Sequence, residues 1–323
     1  MEHPTIGSHK IEESFLLIVR GAKERTEMLS FKHLSNLFGA GSVQLVNEIP
    51  FSRAIQKSFG LGIDSGKDWM LCIDADVLLD YNAIKSLLKV TEGIHDHVFE
   101  VQGLVRDKFI PVNRPAGNHL YRMRYAEEAI KCIPKEGTSL RPESTMLKNM
   151  ALKGFPWYQS DVVVGVHDFE QYYKDIFRKC FLHAKKHSYV LPKVMPYWLK
   201  MARTDPDFEV AILAAAYAQK HRDSVAVSKN FGIREAEEAL SALKLEEKDT
   251  IKDISNTYVE DLLRNSDTTQ IAGLQELMAP SAILNKVADV EKPKRPTLKK
   301  KVALSLDRAS SALSKISNSL RKE

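Results

Sequence analysis

Three short apolar runs, Phe15–Val19, Val43–Val46 and Trp69–Ile73, open the chain, and the two intervals between them read as helices. Apolar runs of this length suit buried strands. In the first interval Met28, Phe31, Leu34 and Leu37 fall at spacings of three and four, which predicts an amphipathic helix within 20–37. The second interval starts at Pro50, a good first-turn residue, and PFSRAIQKSFGLG is expected to be the second helix. Strand–helix–strand–helix–strand within roughly sixty residues leaves little choice of architecture: a parallel sheet joined by right-handed crossovers. Ligands of such open sheets bind beyond the carboxyl ends of the strands.

The third run ends in Asp74-Ala75-Asp76. Side chains at i and i+2 of a strand share a face. Where the strand ends and the chain turns, both carboxylates can reach one site. Hard oxygen donors of this kind suit Mg2+ or Mn2+, ions that in turn suit a diphosphate and neutralise charge on a leaving phosphate. The plainer alternative is a pair of surface acids at a strand–loop junction.

Beyond residue 97 the pattern changes. HVFEVQGLVRDKFIPV has strand character with breaks, NRPAGNHLYRM reads as a loop, STMLKNMALKG as a short helix closed by Gly154, and SDVVVGV as a strand. A mixed sheet is therefore expected after the parallel half. From about Phe169 the chain turns helical. Four segments are expected: an α/β domain over 1–185, a helical extension over 186–285, a linker with Pro293 and Pro296 over 286–298, and a basic amphipathic helix over 299–323.

With 323 residues, 44% of them apolar, the chain can build a sizeable core. The three cysteines, Cys72, Cys132 and Cys180, are odd in number and widely spaced, which argues against a disulfide framework or zinc site and fits a reducing cytosol. The N-terminal MEHPTIGSHKIEE lacks the apolar core of a signal peptide, and no apolar run approaches the roughly 20 residues of a membrane span. The net charge of +5 is a property of the tail: residues 291–323 hold ten Lys and Arg against three acids, so +7 resides there and −2 in the rest.

AIQKSFGLGIDSGKDWMLCIDADVLL resembles the core of a GT-A glycosyltransferase, a nucleotide-sugar-dependent enzyme with a helix, a polar turn and a hydrophobic strand ending in DxD, as in family 2. The resemblance covers about residues 15–185 and implies a Rossmann-like mixed sheet flanked by helices. It also implies a nucleotide-sugar donor, Mn2+ or Mg2+, and a hydroxyl acceptor on a cell-surface or lipid-linked glycan. Carried onto this sequence, it makes Asp76 a metal ligand and sets Asp74 against the metal indirectly or against the donor's ribose or sugar. His167, just past an apolar run, is similar to the last metal ligand of many such enzymes, with Asp168 the adjacent alternative. Arg20 and Glu48 are placed for the nucleoside and phosphates. Arg53 and Lys57, four apart on one helix face, are placed to approach the donor or to sit in solvent. Gly117, Asn118 and His119 would line the sugar and acceptor sites. Glu143 would be the catalytic base, although a Glu-Ser pair replaces the family's usual adjacent acids, and a helix N-terminal charge is the plainer role. Trp157, Tyr158, Tyr172 and Tyr173 would stack on sugar or pack in the core.

Two other classes fit less well. A haloacid-dehalogenase-like phosphohydrolase also puts DxD after a hydrophobic strand, but wants Thr or Val where Leu78 stands and opens its first strand with the motif. A helical binding module is suggested by VAVSKNFGIREAEEALSAL, a helix–turn–helix look without the positive stripe that nucleic acid requires. In the tail, Val302, Leu306, Ala309, Leu313, Ile316 and Leu320 form one apolar seam flanked by bases. The tail helix is expected to lie on an anionic membrane face, making the protein cytoplasmic and peripheral, or to self-associate as a coiled coil.

Overall fold

In a computed structural model of the chain, residues 15–139, 141–221, 232–255, 257–265, 271, 273, 274 and 278 are described. The opening alternation is present as β1 (Phe15–Arg20), α1 (Glu27–Phe38), β2 (Val43–Val46), α2 (Phe51–Ser65) and β3 (Trp69–Asp74). There follow β4 (Val77–Leu79), α3 (Tyr81–Val90), β5 (Glu100–Asp107), β6 (Asn113–Arg114), β7 (Asn118–Arg122), α4 (Ala126–Cys132), α5 (Pro142–Leu152) and β8 (Trp157–His167). The strands form one mixed sheet in the order β2-β1-β3-β7-β5-β8-β4, with β6 paired to β5. β1 runs parallel to β2 and β3, β7 antiparallel to β3 and β5, β8 parallel to β5, and β4 antiparallel to β8.

The unbroken apolar run of β3 has a packing cause. Helices cover both faces of the sheet, so Met70, Leu71, Cys72 and Ile73 are all buried and no solvent face exists to demand alternation. Leu71 and Ile73 join Leu17, Val19 and Leu120 on one side, and Met70 and Cys72 join Ile18, Ile55 and Phe59 on the other. Full burial of side chains this size stabilises by about 1.5–3 kcal/mol each.

Two expectations are corrected. The first helix starts only at Glu27 and buries Leu29, Leu34 and Phe38, while Met28 is 49% exposed. Its start is set by a tertiary bond rather than by periodicity: Thr26 Oγ1 donates to the Ala75 carbonyl at 2.5 Å. NRPAGNHLYRM is not one loop. Its Pro and Gly mark only the entry, and Asn118–Arg122 is a strand whose polar residues face buried partners rather than water. Beyond Asp76 the chain forms one more strand before its next helix. Val77–Leu79 forms a short buried strand on β8, and Asp80 then caps α3 by accepting from Ala83 N at 2.7 Å.

The helical half comprises α6 (Tyr173–Lys186), α7 (Leu191–Met201), α8 (Pro206–Lys220), α9 (Ile233–Leu243) and α10 (Tyr258–Asn265). Ile176, Phe177 and Phe181 of α6 share an apolar cluster with Trp198, Phe208, Ala211 and Ala239. Phe109 and Ile110, which follow β5, insert into the same cluster, and Trp198 Nε1 donates to the Phe109 carbonyl at 2.6 Å. The helix of the predicted helix–turn–helix, α9, turns Ala236, Ala239 and Leu240 into this cluster. The predicted linker 286–298 and tail helix 299–323 lie outside the described residues. Among the described residues no helix is long and apolar enough to cross a membrane, and all three cysteines are free and buried.

Candidate functional site

The Asp74-Ala75-Asp76 turn is held through its main-chain groups by four hydrogen bonds. Asp74 N donates to Gly117 O at 2.9 Å, Ala75 N to Arg20 O at 2.8 Å, Asp168 N to Asp76 O at 3.0 Å, and Thr26 Oγ1 to Ala75 O. Gly117 has to be glycine: its φ is +57°, and a Cβ there would come within 2.6 Å of Val77 Cγ2. The turn is thus rigid before any ligand arrives.

The two carboxylates enter different networks. Asp74 faces Arg20, the last residue of β1 and its register partner, with Arg20 Nη2 2.9 Å from Asp74 Oδ1. Arg20 is 4% exposed and also reaches Glu143, with Nη1 2.5 Å from Oε1. Tyr121 Oη donates to Glu143 at 2.6 Å, and His119 Nε2 lies 2.9 Å from its other oxygen. Burial pushes the Glu143 carboxyl up, but Arg20 and His119 override it and hold the group well below the usual carboxylate range. Asp74 goes the other way. Burial raises its pKa, and Glu143 and Asp76 add to that, outweighing the guanidinium it shares. Glu143, the expected base, is therefore the weaker proton acceptor of the two while Arg20 sits beside it.

Asp76 turns instead toward the end of β8. Asp76 Oδ1 is 3.7 Å from His167 Nε2, and Lys179 of α6 places Nζ 2.5 Å from Asp76 Oδ2 and against Asp168. Asp76, His167 and Asp168 each offer one ligand atom, and the three atoms lie within 4.8 Å of one another. Asp76 Oδ1 is buried without a hydrogen-bond partner. An orphaned carboxylate oxygen costs stability unless something binds it, so the donor set fits a hard divalent cation. Behind it, His167 Nδ1 lies 2.8 Å from Asp107 Oδ2, and Arg114 Nη2 lies 2.5 Å from that same oxygen. This outer shell orients Nε2 toward the site, as ligating histidines require. Burial lowers the His167 pKa, but Asp168 and Asp76 override it and hold the ring up to about 10. A metal would therefore displace a proton from it.

A cleft of about 310 Å³ opens beside the turn, lined by Arg20, Glu48, Phe51, Asp74, Asp76, Arg178 and Lys179 among others. Of the residues singled out from sequence, Arg20, Glu48, Asp74 and Asp76 come together in the cleft wall, with Glu143 and His167 one contact behind. Arg53 stands apart. Its turn of α2 faces solvent, its side chain is 63% exposed, and it pairs with Glu136 at 3.5 Å; Lys57 is likewise exposed. Asn118 is fully buried and its amide bridges Gly103 N and Gly103 O, bracing the irregular part of β5 instead of facing a ligand. Arg178 and Lys179 were not visible from pattern, because two adjacent bases on a helix look like any solvated pair. The half-burial of both, and the unpartnered Nε of Arg178, mark them out only in three dimensions.

The Glu143 network makes folding pH-dependent. Burial pulls the His119 pKa down, but Glu143 and a hydrogen bond to Glu100 hold it up to about 10. In the unfolded chain the ring titrates near 6.5. Its stabilising contribution is thus complete below about pH 6.5 and is lost as pH rises through about 10, because the folded form binds the extra proton. Urea denaturation from pH 6 to 10 is expected to show the wild type losing stability relative to His119→Gln. Parallel curves would show that His119 is not charged in the native state.

No protein-family model and no curated protein sequence matches the chain. Solved structures resemble it distantly. The mannosyltransferase PcManGT of Pyrobaculum calidifontis, in complex with GDP-Man and Mn2+, is 13% identical, with 82% of this chain and 84% of that one covered at a TM-score of 0.39. A197 from STIV is 10% identical over 47% of this chain and 83% of that one, at 0.34. A glycosyltransferase involved in glycosylation of the major capsid of PBCV-1 is 10% identical over 45% and 82%, at 0.31. These likenesses are weak, and nothing in the site chemistry depends on them.

Proposed function

We propose that the chain is a metal-dependent GT-A-type glycosyltransferase that moves a sugar from a nucleoside diphosphate donor to a hydroxyl acceptor on a glycan or lipid-linked glycan. The observation that carries this reading is Asp76, set in the wall of a cleft that Arg20, Arg178 and Lys179 also line, with His167 and Asp168 converging on it from behind. Carboxylates that would hold a cation, set beside three basic side chains, suit a diphosphate better than any uncharged ligand.

On this reading Asp76 and His167, joined by Asp168, hold Mn2+ or Mg2+, which supplies charge neutralisation for the departing diphosphate. Arg20 and Arg178 bind phosphate oxygens through guanidinium groups. Arg178 has a buried Nε to offer, and Arg20 lies 4.9 Å from the Phe51 ring at the cleft mouth. Glu48 and Phe51 face the nucleoside, and Asp74 the ribose or sugar. Glu143 takes the acceptor proton. Once a diphosphate draws on Arg20, Glu143 loses part of the positive charge that suppresses its basicity, so donor binding and base activation are linked.

The test is thermal stability against UDP, GDP, ADP, CDP and TDP, with and without Mn2+, for wild type and Asp76→Ala. A ligand at about 100 times its Kd adds about 2.7 kcal/mol, a shift that melting curves detect readily. One nucleotide is expected to raise the wild-type melting temperature in a Mn2+-dependent way and to do nothing for Asp76→Ala. A well-folded wild type indifferent to every nucleotide would refute the reading.

A further inference from the structure

A second cavity, of about 540 Å³, begins at His119 and Glu143 and is lined by neither Asp74 nor any of the three metal-site residues. One wall is a face of α5 and its cap: Arg141, Ser144, Thr145 and Lys148 recur at i, i+3, i+4 and i+7 and all line it. Arg141 and Lys148 are exposed, and neither has a carboxylate partner among the described residues. The one acid on the wall, Glu143, is already neutralised by Arg20 and His119. The cavity therefore carries surplus positive charge. The neighbouring His187, which Arg141 contacts, has its pKa lowered by burial first and then by Arg141, Lys186 and Arg114.

Another part of the lining is built differently. Trp157 presents an indole, and Gln159 donates its NH2 to the carbonyls of Gln102 and Ser160 while its amide oxygen remains buried and unpartnered. An aromatic face with an unsatisfied acceptor beside it suits a sugar ring: apolar C–H edges against the indole, and a hydroxyl donated to the amide. Neither part alone specifies a ligand, but together they do.

We propose that this cavity binds an anionic saccharide, a sugar bearing a phosphate or carboxylate, with the anion at Arg141 and Lys148 and the ring against Trp157 and Gln159. Arg141 forks to the anion while Lys148 contributes a point charge. Calling that saccharide the acceptor rests on the glycosyltransferase reading, since Glu143 stands at the cavity's edge; the binding itself does not.

Isothermal titration of the full chain, without nucleotide or metal, separates the two claims. The probes are glucose 6-phosphate, glucuronate and glucose. Charge-assisted hydrogen bonds predict that at least one of the anionic sugars binds about tenfold or more tighter than glucose, and that Arg141→Gln/Lys148→Gln removes the difference. Which anion wins identifies the group carried by the natural ligand. Both substitutions are on the surface, so the double variant should keep the wild-type melting temperature and any Mn2+-dependent nucleotide shift. The proposal is overturned if all three sugars bind alike, if none binds, or if the double variant retains the preference. A chain that prefers anionic sugars yet ignores every nucleotide would keep this site and lose the glycosyltransferase reading.

Discussion

Replacing Arg20 with methionine is expected to destabilise the protein by about 3–5 kcal/mol, the range for removing one partner of a buried charge network. Arg20 is the sole cation within contact of Asp74 among the described residues, and one of two on Glu143. Its loss leaves the buried Glu143 and the half-buried Asp74 without their guanidinium, with only His119, on Glu143, to balance them. The volume lost is modest and methionine adapts to irregular space, so packing is a secondary term. Urea denaturation followed by tryptophan fluorescence measures the loss. A companion variant, Arg20→Met/Asp74→Asn/Glu143→Gln, tests its cause, because removing the stranded charges should recover most of the stability. If the single variant loses less than about 1 kcal/mol, Arg20 behaves like an exposed ion pair and the network does not hold the turn in place. If the triple variant recovers nothing, the loss is one of packing.

Whether a residue could be read from sequence depended on whether its role is local. β1, β2 and β3 are short apolar runs because they are buried on both faces, and that condition is written in consecutive residues. Asp76 and His167 were legible for a related reason: each follows such a run, so the end of a strand could be located and a ligand expected there. Non-local partners were not. Lys179 reaches Asp76 across 103 residues and Arg20 reaches Glu143 across 123, and nothing near either position signals the pairing. The strand at Asn118–Arg122 was hidden because Asn118 and His119 are buried by hydrogen bonds rather than by apolarity. Met28 misled because it kept helical period on a face that the sheet does not cover.

Lys179→Met separates a metal site from a set of carboxylates built around a lysine. The ammonium of Lys179 touches Asp76 and Asp168, two of the three groups that would hold the ion, so lysine and metal cannot both keep those contacts. Burial lowers the lysine's proton affinity, but Asp168 and Asp76 override it and keep the group charged. Removing it should cost the metal-free protein about 3–5 kcal/mol, because two buried carboxylates keep only the His167 imidazolium as counter-charge. Mn2+ should then restore what the lysine provided: at about 1,000 times its Kd an ion adds about 4.1 kcal/mol. The variant should also bind Mn2+ more tightly than wild type, which must first displace its own ammonium. Melting curves with and without Mn2+, together with titration calorimetry on both proteins, give the answer directly. If the variant is destabilised and Mn2+ rescues it, Lys179 is a tethered stand-in that gives way to the ion. If it is destabilised and no divalent ion rescues it, the lysine is the permanent cation of the site.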